Sequence, residues 1–315
     1  MDNYEDTPYP IETPAGRNPP DGAIVDYFLR SAATSELTMT ISDEDGAEVA
    51  AFSSAPKPIE LPPPNVPEYW FAPPTALTKL VGVNRLVWDL RYPAPPTLPY
   101  GYFGEPLGYT EYTLADHAVP GLTPRQQPRG PLVVPGKYTV ELRAGGETLR
   151  QQLTIELDPR VHASQADLIE QRDLALEISR GMKSSTDSYH QVIALRDALA
   201  DRQKSSSPSE LKKIKEPVAA LEKKIGDLLK GPKAAPGFGV VNRDLTRLIF
   251  SVESADMRPT DTVRTAVRQN CDALNKDLAK WQQLNQQDVA SLNARLLKSN
   301  LAALPVATGN LSGCK

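Results

Sequence analysis

The spacing of apolar residues changes near residue 160. Before that point, short runs such as Gly136–Arg143 (GKYTVELR) alternate apolar and polar positions, which is typical of strands with one buried face. After that point, apolar residues recur every three or four positions over long stretches, which is typical of amphipathic helices. The pattern therefore predicts a β-rich first half and an α-helical second half.

Six short segments of the first half have strand periodicity, and turn signals such as Asp45-Gly46 and Gly145-Gly146 separate them. The predicted strands are Ala23–Arg30, Glu36–Ser42, Glu48–Phe52, Asn84–Arg91, Gly136–Arg143 and Thr148–Leu157. Short antiparallel strands of this kind predict an immunoglobulin-like β-sandwich over residues 18–160, preceded by a disordered or extended segment, 1–17. Two proline-rich stretches, Pro56–Pro74 and Pro93–Pro135, are too long for hairpin turns and are expected to wrap the sandwich as ordered excursions.

One predicted strand carries the largest candidate core residue. In Asn84–Arg91 (NRLVWDLR), the face formed by Leu86, Trp88 and Leu90 is wholly apolar, and the other face is mixed. Because successive side chains of a strand point to opposite faces, we expect Trp88 to lie in the core of the sandwich.

The second half begins with a helix start signal. Ser164 and Asp167 have the spacing of a capping box, with Asp in place of the usual Glu or Gln, and predict a helix that runs to about Arg202. Ser205–Pro208 then predicts a break.

Three further helical segments follow. Apolar residues from Leu211 to Leu228 are spaced 3, 4, 3, 4, 3, and Pro217 within this seam predicts a kink or a second helix start. Val241–Val252 is the next segment, and Pro259-Thr260 marks the start of a last long helix. The stripes predict an antiparallel bundle of three to four helices over residues 161–305, able to fold without the sandwich, and a flexible tail over residues 306–315.

Composition changes at the same place as the spacing. Of the 30 prolines, 24 precede residue 161, as do 16 of the 20 aromatic residues. Residues 1–160 hold 12 basic and 21 acidic residues, a net charge of −9, whereas residues 161–315 hold 23 and 18, a net charge of +5. Three shifts at one position predict a domain boundary, and the fold class is therefore predicted to be α+β multidomain.

Charge and hydropathy narrow the function classes. A net charge of −4 argues against a nucleic-acid-binding protein that neutralises phosphates, and no apolar run approaches the roughly 18 residues of a membrane span. The first residues lack the basic start and apolar core of a signal peptide, so we expect no export signal in this chain.

Few residues have the spacing of a reactive or metal site. His117, His162 and His190 are far apart, so no metal is predicted, and no cofactor motif is present. Cys271 is expected to be a packing residue of a helix, and Cys314 lies in the polar tail. The two cysteines do not predict a disulfide framework.

Acidic residues give only weak candidates for chemistry. Asp43–Gly46 resembles the start of a calcium loop, but position 52 is Phe rather than the required Glu, so a hairpin turn is favoured. Asp89 and Asp158 lie in strong motifs, and structural roles are favoured for both over a catalytic carboxylate pair.

Six segments occur in an order that supports a resemblance: NPPDGAIVDYFL, NVPEYWFAPP, GVNRLVWDLRYP, GPLVVPGKYTVEL, LTIELDPRV and SADMRPT. Together they resemble the C-terminal region of exported bacterial proteins that carry a sortilin-like or BNR (Asp-box) β-propeller and are commonly described as glycosyl hydrolases. The resemblance spans about Asn18 to Pro305 and implies an extracytoplasmic location, periplasmic or secreted. The strand motifs also resemble the immunoglobulin-like module of bacterial hook-capping and cell-surface sorting proteins.

The resemblance does not extend to the propeller itself. The sequence contains no Ser-x-Asp-x-Gly-x-x-Trp pattern repeated every 40 to 60 residues or so, so no catalytic residue is carried over and no enzyme activity is expected. The resemblance implies an accessory region that docks to a propeller domain or a cell-surface protein. A monomer is expected.

Aromatic residues in the proline-rich excursions support an alternative. The candidate binding residues are Tyr69, Trp70, Tyr100, Tyr102, Tyr109 and Tyr112. Exposed on rigid loops, such rings stack on sugars, which would make the chain a carbohydrate-binding or glycoside-hydrolysing protein. Packed beneath the loops, the same rings would form a satellite core.

Overall fold

The computed structural model describes residues 20, 22–56, 75–98, 129–231, 235–299, 301–307 and 312–314. The described residues form an α+β structure with two small antiparallel sheets and four helices, the last of which continues through a π-helical turn. The described residues form two compact units. The sheet unit contains those up to Ala94, residues 129–172 and Ala255–Arg258; the helical unit contains Pro95–Leu98, Asp173–Ser254 and those from Pro259 onward.

All six predicted strands are present, with ends shifted by a few residues. They are β1 (Ala23–Leu29), β2 (Thr38–Ser42), β3 (Glu48–Ser53), β4 (Gly82–Trp88), β5 (Gly136–Ala144) and β6 (Glu147–Ile155). In the first sheet β1 pairs with β4, and the second sheet has the order β3-β2-β5-β6. Every pairing is antiparallel.

One hydrophobic cluster draws side chains from both sheets, and Trp88 lies within it. Trp88 is 1% exposed, its indole Nε1 donates to the Arg91 carbonyl at 3.0 Å, and its ring meets Tyr138 edge-on at 5.7 Å. The prediction that Trp88 is a core residue is confirmed. Leu90 differs from the predicted alternation, because the strand ends at Trp88 and Leu90 has a φ of 61°.

The segment after β2 is a tight turn, as favoured from the sequence. The Asp43 carboxylate accepts hydrogen bonds from the backbone amides of Asp45 and Ala47 at 3.1 and 2.8 Å. Gly46 has a φ of 80°, a conformation that glycine adopts without strain. The acidic residues at this position therefore shape the β2–β3 hairpin.

The helices are α1 (Gln165–Ser205), α2 (Pro208–Lys230), α3 (Phe238–Val252) and α4 (Asp261–Gln283); α4 continues through a π-helical turn, Leu284–Val289, into α5 (Ala290–Lys298). The predicted capping box is present, since Ser164 N and Asp167 N each donate to the other residue's side chain at 3.2 Å. Thr260 caps α4 by accepting from the Val263 amide at 3.3 Å.

The apolar stripes predicted for the helices are buried in a second hydrophobic cluster. In α2 the buried seam residues are Ile214, Val218, Leu221, Ile225 and Leu228. Of the two alternatives predicted at Pro217, a kink or a second helix start, the second helix start is wrong, because α2 runs through that residue as one helix. Pro208 instead stands at the first position of α2, where its missing amide hydrogen leaves no helical bond unmade.

The core of the helical unit also contains a polar cluster centred on Asn242 of α3. Its side-chain amide donates to the Met182 carbonyl and to the hydroxyls of Ser185 and Thr186, at 2.9 to 3.0 Å. Its side-chain oxygen accepts from the backbone amide of Leu98 at 3.0 Å. Leu98 is buried, so a short segment from the first half of the sequence is part of the helical core.

The two cysteines form a disulfide, which the sequence did not predict. Cys271 of α4 bonds to Cys314, 43 residues later, and both are buried. The sulfur of Cys314 lies against Gly181 of α1, where any side chain would collide with it, and Arg180 donates to the Cys314 carbonyl at 3.0 Å. The end of the chain is therefore tied to α1 and α4 at Cys314.

Residues 301–307 run back along α5 and the π-helical turn. Asn293 of α5 binds the backbone of Leu304 through both its amide nitrogen and its oxygen, at 3.1 and 2.7 Å. Asn285, in the π-helical turn, accepts from the Ala307 amide at 3.3 Å. Asparagine side chains thus satisfy backbone groups of a chain segment that has no strand or helix partner of its own.

Candidate functional site

The outward side of the first sheet is apolar, although it faces solvent. Phe28 of β1 lies opposite Val83 of β4, and they are 66% and 71% exposed. Ile24 lies opposite Val87 at the other end of the strand pair, and Ile24 is also exposed. Exposed apolar side chains gathered on one face mark interaction sites more often than isolated ones do.

A salt bridge lies between these two apolar pairs. Asp26 and Arg85 are cross-strand partners, and the guanidinium donates two hydrogen bonds of 2.8 Å to the carboxylate. The Arg85 hydrogen bonds hold the pKa of Asp26 below its usual value. Leu80 and Val81, immediately before β4, are also exposed. We call this surface the apolar face: Ile24, Phe28, Val83 and Val87, with the Asp26–Arg85 pair at its centre.

The apolar face has a sequence signal that the predictions did not use. The run Ala23–Leu29 (AIVDYFL) places Ile24 and Phe28 on one side of the strand and Val25 and Tyr27 on the other. A strand with apolar residues on both sides is typical of strands that are covered on both sides. In the described structure only the side of Val25 and Tyr27 joins the core cluster.

The outward side of the second sheet is polar. Threonine, serine, arginine and glutamine side chains of β2, β5 and β6 line an open groove of about 590 Å³ there. Its lining includes Thr40, Ser42, Thr139, Glu141, Arg150 and Gln152. We call this surface the polar face. Hydroxyl, amide and guanidinium groups at this density suit a polar ligand such as a sugar.

The central carboxylate of the polar face is held by two arginines. Glu141 accepts from Arg150 at 2.6 Å and from Arg143 at 2.7 Å. These hydrogen bonds, the one from Arg150 foremost, lower the pKa of Glu141. Glu141 is therefore ionised at neutral pH, whereas a general acid needs a pKa near the working pH.

The two acidic residues singled out in the sequence lie in exposed positions. Asp158 accepts from Arg160 at 2.6 and 2.9 Å, and these bonds lower its pKa to about 2. Its backbone carbonyl also accepts from the Val161 amide at 2.9 Å. This geometry fits a turn between β6 and α1. Asp89 is exposed just beyond the end of β4.

Tyr69, Trp70, Tyr100, Tyr102, Tyr109 and Tyr112 all lie outside the described residues, as does His117. His162 and His190 are described and exposed. Within the described ranges no cluster of three metal-ligating side chains occurs. Among the helices described, none combines the length and apolarity needed to cross a membrane.

Comparison with known proteins adds no relative to this picture. The chain matches no family model, no curated protein and no solved structure.

Proposed function

We propose that residues 18–160 form an immunoglobulin-like sandwich and that the helices form an antiparallel bundle. The strand orders β1-β4 and β3-β2-β5-β6, with one core cluster between the inward faces, support the sandwich. A second support is Tyr138, near the start of β5. Its hydroxyl donates to the Val134 carbonyl at 2.6 Å, the geometry of the tyrosine corner of such sandwiches.

The chain serves, in this proposal, as a non-catalytic interaction region of an exported protein. The observation that carries it is the apolar face, where two cross-strand apolar pairs flank the Asp26–Arg85 salt bridge. Burying exposed apolar area on association contributes about 25 cal/mol per Å². The ion pair gives the same surface a polar centre that a partner must match, which favours a specific partner over general adhesion.

A propeller domain or a cell-surface protein is the partner that the sequence resemblance implies. The Cys271–Cys314 disulfide supports an extracytoplasmic location, because disulfides persist in oxidising compartments and are rare in the cytosol. The chain would then act beside its partner outside the cytoplasm.

Binding to a propeller tests the proposal. The gene directly upstream is the first candidate to encode the propeller, and the two purified proteins are mixed in a calorimeter. We expect Phe28→Ser to weaken binding at least about tenfold, because loss of a buried aromatic anchor commonly costs more than 1 kcal/mol. Leu297→Ser is the matched control, since Leu297 is 62% exposed in the helical unit. Equal affinities for the wild type and Phe28→Ser, or no binding at all, would contradict the proposal.

The polar face supports carbohydrate binding as a second candidate. Its groove presents Thr40, Thr139 and Gln152 beside the Glu141–arginine cluster, and Gln152 already donates to Thr139 at 3.0 Å. A glycan array probed with the full chain tests this candidate. Any glycan retained by the wild type should be lost with Thr139→Val and Gln152→Leu together. A Leu297→Ser protein should retain the glycan, and an array without signal would reject the candidate.

A further inference from the structure

The edge strand β6 has the features of an interface rather than of a protected edge. Among the described residues, β6 pairs only with β5, and most of its nine residues are exposed. Natural edge strands are usually guarded by lysine, proline, a bulge or an inward-pointing charge. The run Glu147–Ile155 (ETLRQQLTI) contains no lysine or proline, and its pairing with β5 runs without a bulge. Its one charge on the side of Leu149 is Glu147, at the first position of the strand.

The inward side of β6 carries an apolar residue that the sheet unit leaves uncovered. Leu149 is opposite Leu142 of β5, which is buried, yet Leu149 itself is 62% exposed. Gln151 and Leu153 follow on the same side, opposite Val140 and Tyr138. The inward side of the second sheet is therefore buried at β5 but exposed at Leu149 of β6.

The sequence of β6 is nearly palindromic about Gln151. Residues 148–154 read Thr-Leu-Arg-Gln-Gln-Leu-Thr, so equal steps from the centre meet Thr and Thr, Leu and Leu, and Arg and Gln. In an antiparallel pairing of two copies centred on Gln151, Leu149 lies opposite Leu153 of the second copy and Thr148 opposite Thr154. Each of these pairs places like beside like on the same side of the sheet, and Thr–Thr and apolar cross-strand pairs are stabilising.

Repulsion between like charges does not oppose this pairing. Arg150 is the one basic residue of β6, and it is bound to Glu141 of its own chain. Its opposite residue in the second copy would be the neutral Gln152. The two-fold pairing therefore brings no like charges face to face.

We propose that two copies of this chain associate through β6, forming one continuous eight-stranded sheet about a two-fold axis at Gln151. The count is twice the four strands of the second sheet. This pairing does not rest on the proposed function, because it needs neither a partner on the apolar face nor a ligand in the groove of the polar face. It replaces the monomer expected from the sequence.

The first test is the mass of the full chain by light scattering after size exclusion, with dilution to obtain a dissociation constant. We expect a dimer at micromolar concentration. Leu149→Lys should raise the dissociation constant at least about tenfold, because it places a charge beside the apolar Leu153 of the second copy. Leu297→Lys adds the same charge at a leucine of the helical unit that is equally exposed, at 62%, and should leave the dimer unchanged. A wild-type monomer at 100 micromolar or so would overturn the proposal.

The second test fixes the register. Opposite residues of an antiparallel pair lie about 4.5–5.5 Å apart between Cα atoms, within disulfide reach, so Gln151→Cys should cross-link two copies on mild oxidation. Leu149→Cys is the control, because its two copies would be four residues out of register, roughly 13 Å apart. A dimer in which Gln151→Cys fails to cross-link, or in which Leu149→Cys cross-links as well, would overturn the proposed register.

Discussion

The sheet unit and the helical unit differ in how their apolar side chains are covered. The sheet unit builds its core from its own two sheets, but it leaves apolar side chains outside that core, on the first sheet and on β6. The helical unit buries its apolar stripes, but its core also includes chain segments outside its helices. The Leu98 amide donates to Asn242 in the polar cluster, and Cys314, bonded to Cys271, lies against Gly181. The sheet unit thus leaves an edge and an outer face exposed, whereas the gaps between the helices are filled by other segments of the chain.

Buried asparagine side chains also have different kinds of hydrogen-bond partner in the two units. In the sheet unit, buried Asn84 bonds to backbone groups of Leu80 and Gly82 nearby in sequence. In the helical unit, Asn242 joins groups more than fifty residues apart. The helical core therefore depends more strongly on distant parts of the chain.

A charge in the helical seam should have the largest effect. Leu221 is 2% exposed in the middle of the α2 seam. We expect Leu221→Asp to destabilise the helical unit by more than about 4 kcal/mol, because a buried carboxylate without a partner is costly. Circular dichroism at 222 nm would show the loss of helix on heating. An unchanged melting curve would mean that the seam is not a core of this unit.

Removing the largest side chain of the sheet core comes next. We expect Trp88→Ala to cost roughly 3–5 kcal/mol through the cavity it leaves. If the two units fold separately, the helical signal at 222 nm should still melt at its wild-type temperature. Loss of both units in a single, earlier transition would show that the sheet unit supports the helices.

Opening the disulfide should affect only the helical unit. The disulfide reduces the conformational entropy of the unfolded chain. The free energy of unfolding of the Cys271→Ser and Cys314→Ser double variant should therefore fall by up to about 4 kcal/mol.

For the same reason the fragment 161–305, predicted to fold alone, should melt at a lower temperature than the fragment 161–315. Equal melting temperatures for the two fragments would show that the end of the chain adds nothing to the helical unit.

The smallest change concerns the hydroxyl of Tyr138. Tyr138→Phe should lower the free energy of unfolding by about 1 kcal/mol, because it removes one hydrogen bond and leaves the Val134 carbonyl without that donor.

The stability of the wild-type protein should also fall at high pH. Burial raises the pKa of Tyr138 from 10.0 to about 12. Its contribution is therefore complete below pH 10 and is lost as the pH rises towards 12. Chemical denaturation of both proteins across this range checks it, and the Phe variant should lack that part of the pH dependence.

The sequence determined the local elements and most of their buried sides. Alternation located β4 and β5 and placed Trp88 inward, and the 3-4 spacing identified the α2 seam, because both patterns are set by backbone periods of a few residues. The hairpin turn at Gly46 and the helix cap at Thr260 could be predicted for the same reason, because each depends on a few adjacent residues.

Which distant residues meet, and which sides of the strands stay exposed, depends on the tertiary structure. The spacing of Cys271 and Cys314 does not show that they form a disulfide. The sequence around Leu98 does not show that its backbone amide binds the side chain of Asn242. Both sides of β1 carry apolar residues, yet within the described structure only one side joins the core cluster, because burial depends on which other elements pack against each side. Periodicity is a property of neighbouring residues, whereas burial is a property of the assembled layers.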